Sequence, residues 1–158
     1  MALMEREFGY SVEVESIDVQ HQKMFEMVNE LYNALRAGNV AQVVPAILKR
    51  LQACYREHFA YEERLMLQAK YPDYFRHKAE HVKLAEKALT LAKAFDEDKV
   101  MRSLSLLNLL KEWTLRHILS FDKRYSAYLR AADTADIPAA WLEPPPPARS
   151  SVLGMISN

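Results

Sequence analysis

Asp18-Val19-Gln20-His21-Gln22-Lys23-Met24-Phe25-Glu26-Met27-Val28-Asn29-Glu30-Leu31-Tyr32-Asn33-Ala34-Leu35 is the stretch that decides the fold class. Met24, Phe25, Val28, Leu31, Tyr32 and Leu35 recur at steps of three and four, which is one face of an α-helix. Asp18 is a good N-cap and Gly38-Asn39 a good stop, so the pattern predicts a helix over about 18–37. His21 is in phase with Met24, Phe25 and Val28 and therefore points inward with them.

The same period recurs three more times. A second helix is expected over 41–68, with Ile47, Leu48, Leu51, Cys54, Tyr55 and Leu65 on its apolar face. Pro45 sits uncomfortably in it, at a start or a kink. Tyr71-Pro72 breaks the pattern, and Pro72 suits the first position of a third helix over 72–95, whose inner side carries Leu84, Ala85, Ala88 and Leu91. Asp96-Glu97-Asp98 places acid at the start of a fourth helix over 98–131, with Leu106, Leu110, Trp113, Phe121 and Tyr125 inside. Four amphipathic helices with short connections predict an all-α, antiparallel up-down-up-down four-helix bundle. An N-terminal arm over 1–17 precedes it. After the domain, 1–132, a Pro-rich extension over 133–158 contains Pro138, Trp141 and Pro144-Pro145-Pro146-Pro147, an extended polyproline run.

Composition agrees and excludes some partners. Lys plus Arg equals Asp plus Glu at 21 each, so no basic excess points to nucleic acid or an anionic surface. No run of 18 apolar residues predicts membrane insertion, and the acidic N-terminus is unlike a signal peptide. The single cysteine, Cys54, cannot form an internal disulfide, which suits the cytoplasm. It lies one turn before His58 and is read as packing.

The chemistry lies in the histidines. His21, His58, His77, His81 and His117 are all five that the chain has, and each falls on an inward helical face. His77 and His81 are four apart on one face of the third helix, and His58 and Glu62 share that spacing on the second. His117 is in phase with Leu110, Trp113 and Phe121. Buried imidazoles each need a partner, and too few inward carboxylates and hydroxyls exist to serve five; metal serves all of them at once. Asp122 follows His117 by five, about 140° away on an ideal helix. Its use as a ligand therefore requires a local widening of the fourth helix, as by a π-bulge. Five histidines with Glu62 and Asp122 exceed one closed zinc site and suggest two metals sharing carboxylates. Imidazole with carboxylate, and no nearby thiolate, suits iron. Glu63, one step off the ligand face, is expected to be solvated. Tyr61 and Tyr125 read as core aromatics, as do Met24, Met27, Met66 and Met101 as core filler.

The chain resembles the bacterial hemerythrin family in Ile17-Asp18-Val19-Gln20-His21, His58-Phe59-Ala60-Tyr61-Glu62-Glu63, His77-Lys78-Ala79-Glu80-His81 and Trp113 to Asp122, in the family's order and spacing. The resemblance implies two iron ions, cycling between Fe2+ and Fe3+ and joined by an oxo or hydroxo bridge. One would take His77, His81 and His117. The other would take His21 and His58 and keep one position open for dioxygen. Glu62 and Asp122 would bridge them. Met24, Phe25, Leu119 and Phe121 would keep water and reductants away. The family's arm often carries a tryptophan where this chain has Phe8-Gly9-Tyr10. The implied function is reversible, non-enzymatic dioxygen binding for storage or delivery, because neutral donors in excess of anions favour reversible binding over O–O cleavage. Oxygen or redox sensing, and a di-iron enzyme (peroxidase, nitric oxide reduction, iron oxidation), are the alternatives. A protein partner docking on residues 138–158 is a further possibility raised by the proline run.

Overall fold

The structure is a computed structural model that describes residues 8–38, 40–94 and 100–131. The extension over 133–158, Asp96-Glu97-Asp98, and the side chains of Leu91, Met101 and Leu106 lie outside the described residues.

Helix α1 spans Glu15–Ala37, three residues longer at its start than the cap rule implies. Asp18 is not its N-cap. Val14 is, with no side-chain cap, and the Asp18 carboxylate reaches back to Val12 N (2.8 Å) and Ser11 Oγ (2.6 Å). It thereby fastens the arm instead of the helix amides. Burial of Ser16 and Ile17 in the interior accounts for the extra turn. The arm, with a 3-10 turn at Phe8–Tyr10, lies against the far end of the fourth helix. Lys123 Nζ donates to Gly9 O, and Arg130 Nη1 reaches both Val12 O and Glu13 Oε2 at 2.8 Å.

Gly38, at φ 74°, ends α1 as expected. Helix α2 (Val40–Gln68) continues without interruption past Pro45, which is exposed. It ends in a Schellman turn: Tyr71 N donates to Met66 O (2.9 Å), Lys70 N to Leu67 O (3.2 Å), and Lys70 takes φ 53° where glycine is usual. Helix α3 (Tyr74–Ala94) starts two residues later than expected, because the Asp73 carbonyl, not Pro72, opens its ladder by accepting from His77 N. The fourth helix is α4 (Val100–His117), a π-helical segment (Ile118–Asp122) and α5 (Lys123–Ala131) in unbroken succession.

Helix α1 packs on α2, α2 on α3, α3 on α4 and α4 back on α1, which closes the antiparallel bundle. Its axis is filled by Val28, Leu31, Leu51, Leu65, Leu107 and Leu110, all essentially inaccessible. Ala85 departs from expectation: it faces outward, while Leu84 and Ala88 face the core. Trp113 and Phe121 are only half-buried.

Pro45 removes one amide from the α2 ladder at an exposed site, so its ring costs a hydrogen bond without packing in return. The Pro45→Ala variant should be more stable by about 1–2 kcal/mol in chemical denaturation, net of the unfolded-chain entropy that proline removes.

Candidate metal centre

The π segment is the local event that assembles the site. Buried positions on the fourth helix step by three and four through Ser103, Leu107, Leu110, Thr114 and His117, with Ile118 beside the last, and resume with Asp122, Tyr125, Ser126 and Leu129. The ligand pair His117 and Asp122 is five apart. Lys123 N donates to Ile118 O, a bond of i to i+5, and this wide turn carries Asp122 round to the face of His117. Ile118, four residues after the buried Thr114, points inward beside His117, and Leu119, expected to shield the site, is 45% exposed.

The seven side chains meet between all four helices, and every one is buried. Their ligand atoms fall into two groups: Glu62, His77, His81, His117 and Asp122 in one, His21, His58, Glu62 and Asp122 in the other. The two carboxylates belong to both. Asp122 turns Oδ1 to His117 Nε2 (2.9 Å) and His77 Nε2 (3.1 Å), and Oδ2 to His21 Nε2 (3.2 Å). Glu62 Oε2 lies 3.1 Å from His81, 3.5 Å from His58 and 3.6 Å from His77, in each case at Nε2.

Apart from the His81 Nε2–Glu62 Oε2 hydrogen bond, these contacts are close but poorly aimed. The Nε2 atoms of His21, His77 and His117, both Asp122 oxygens and Glu62 Oε1 make no well-directed hydrogen bond. Lone pairs of neutral imidazole set against carboxylate oxygens repel unless positive charge lies between them. A donor set of five imidazoles and two shared carboxylates, most of its inward atoms unsatisfied at one buried point, fits two cations and not a hydrogen-bonded core.

Charge in the metal-free cluster tells the same story. Burial opposes ionisation of Glu62, yet the surrounding imidazoles hold its carboxyl below the usual range, and those around Asp122 do the same there. Burial would lower His77, but Asp122 and Glu62 outweigh it and push that imidazole up to about 9. Burial wins at His58, which is lowered to about 4. A proton on His77 thus stands in for part of the charge that metal would bring.

Two groups that sequence reasoning missed orient the ligands. His58 Nδ1 donates to Gln20 Oε1 at 2.8 Å, and His81 Nδ1 to Glu63 Oε1 at 3.2 Å. Each leaves its Nε2 lone pair facing inward. Glu63 is therefore not simply solvated: its side chain is 20% exposed and shared with Lys78 at 2.8 Å. The signal available was its place beside Glu62, opposite a helix carrying both Lys78 and His81. Phe25, Phe59 and Phe121 lie parallel to His21, His81 and His117 and fix those rings. Tyr61 bonds to Ser16 (2.9 Å) and ties α2 to α1. The buried Tyr125 hydroxyl has no hydrogen bond, and burial with the neighbouring carboxylates raises its pKa. Cys54 is buried, and desolvation raises its thiol pKa, as packing implies.

Comparison with known proteins places this geometry. Residues 12–129 match the family described as the Hemerythrin HHE cation binding domain. The bacteriohemerythrin of Methylococcus capsulatus is 34% identical over 137 residues, covering 83% of this chain and all of that protein. That of Stenotrophomonas maltophilia is 28% identical, covering 83% and 84%. A crystal structure of a hemerythrin variant superposes with a TM-score of 0.70 at 30% identity, over 82% of this chain and 98% of the other.

The His58 value sets a pH dependence for the metal-free protein. Unfolded, this imidazole titrates near 6.5; folded, it resists protonation until about 4, so the unfolded state binds more protons between those values. Stability should fall as pH drops from 6.5 toward 4. Urea denaturation of the metal-free chain at pH 7 and pH 5 will show this, with a shallower decline in His58→Gln.

Proposed function

The chain belongs to the hemerythrin family, whose di-iron centre binds oxygen, and we propose that this protein uses it for reversible dioxygen storage or delivery. In this reading His77, His81 and His117 would hold one iron and His21 and His58 the other, with Glu62 and Asp122 available to both. The observation that carries it is the division of the buried donors into a five-membered and a four-membered group that share only the two carboxylates. The smaller group offers one imidazole fewer, so an iron held there would keep a position for an exogenous ligand.

When bound, the iron pair supplies the redox chemistry by which dioxygen is taken up and given back. The protein's own part is positioning, charge and exclusion of water. Gln20 keeps a proton on His58 Nδ1, and Glu63 keeps one on His81 Nδ1, so both rings present their other nitrogen. Five neutral imidazoles against two anions leave the site with net positive charge when loaded, which favours the reduced metals. Met24, Phe25, Phe59 and Ile118, all under 8% exposed, wall the cluster from solvent. A cytoplasmic setting accords with the lone thiol of Cys54. No described helix is long and apolar enough to cross a membrane.

The test is an anaerobic reduction followed by titration with oxygen, monitored by absorbance. A saturable spectral change that reverses under vacuum supports a carrier. Immediate oxidation that vacuum cannot undo favours the sensor or enzyme readings. The variant His77→Ala should lose about half or more of the bound iron and several °C of thermal stability together, because metal binding contributes folding free energy.

A further inference from the structure

Helix α3 carries a line of apolar side chains on the side away from the core. Phe75 is 83% exposed, Val82 51% and Leu89 46%. They are spaced by seven residues, so they form a heptad stripe that drifts slowly around the helix. Single exposed apolar residues are ordinary, but three on one heptad line are a seam. Beside the seam, between α2 and α3, runs a groove of about 460 Å³ lined by Gln52, Arg56, Ala60, Val82, Ala85 and Leu89.

The seam is complementary to itself. In an antiparallel pair of identical helices related by a twofold axis at residue 82, position 82 − n on one copy faces 82 + n on the other. Val82 then meets Val82, Phe75 meets Leu89 and Ala79 meets Ala85. Lys78 meets Glu86, twice. Opposite charges thus face each other at the only flanking positions of the register that carry charge on both sides. Glu86 is exposed, with no ion pair among the described residues. The groove beside Leu89 receives the Phe75 ring, the most exposed large apolar side chain described.

We propose that the outward face of α3 is an interface between two copies of this chain, paired antiparallel about Val82. The occupant is a second copy because apolar and charged positions both match under one twofold operation. An unrelated partner would need only the apolar stripe. Lys78 already bonds Glu63, which holds His81, and Phe59 at the groove floor stacks on the same imidazole. The interface therefore lies directly over one wall of the metal centre.

Sedimentation velocity of the full chain, over about 1–200 μM, is the experiment, since a single helix-pair contact of this kind gives micromolar affinity. The expected result is a concentration-dependent dimer. Glu86→Lys should weaken it about tenfold, since both copies gain a lysine opposite Lys78. Combining it with Lys78→Glu should restore most of the affinity. Phe75→Lys, at an exposed site that leaves the fold intact by circular dichroism, should give monomer throughout. A wild-type chain that stays monomeric at the highest concentration overturns the proposal. So does a dimer indifferent to both Glu86→Lys and Phe75→Lys, which would place the contact elsewhere, including on residues 132–158.

Discussion

Two carboxylates with no solvent access and five buried imidazoles around them form the constraint on which the rest of this structure depends. Desolvating one such anion without compensation costs several kcal/mol, and here two lie close together. The metal-free chain relieves this only in part, by protonating His77 and leaving several donor atoms unsatisfied. Cations between the two groups relieve it fully. Leucine layers above and below the cluster close the bundle, but the polar layer needs metal to become an asset to stability.

The backbone is arranged to serve that layer. A regular α-helix cannot place residues five apart on one face, and the fourth helix resolves the conflict with one π turn. The poorer local bonding is confined to Ile118–Asp122, where flanking helix and the arm hold it. Lys123 anchors the residue after Asp122 to Gly9, and Arg130 clasps Val12 and Glu13 a little beyond. The arm is thus connected to the one irregular turn in the bundle. On the other side, Tyr10 packs edge-on against Phe25, which lies over His21.

Much of this was legible in the sequence because helical period is a strong signal. The bundle, the inward phase of each histidine and the need for a widened turn before Asp122 all follow from spacing alone. What was not legible depends on tertiary context. Asp18 looked like a cap, but whether its carboxylate turns to the helix amides or back to Val12 depends on where the arm lies. Leu119 was expected to shield the site by resemblance alone; two residues past His117 it lies about 200° away on a regular helix, and it faces out. Glu63 looked solvated because its partners, Lys78 and His81, belong to another helix. Gln20 could be assigned a role only once α1 and α2 were side by side. Sequence therefore gave the ligand candidates more readily than the groups that aim them.

The most direct test of the central claim is diffraction from crystals of the iron-loaded protein at wavelengths on either side of the iron absorption edge. The account predicts two anomalous peaks per chain in the bundle interior: one beside His77, His81 and His117, the other beside His21 and His58, with Glu62 and Asp122 spanning both. A single peak, or two peaks with Asp122 turned away from either, would contradict it.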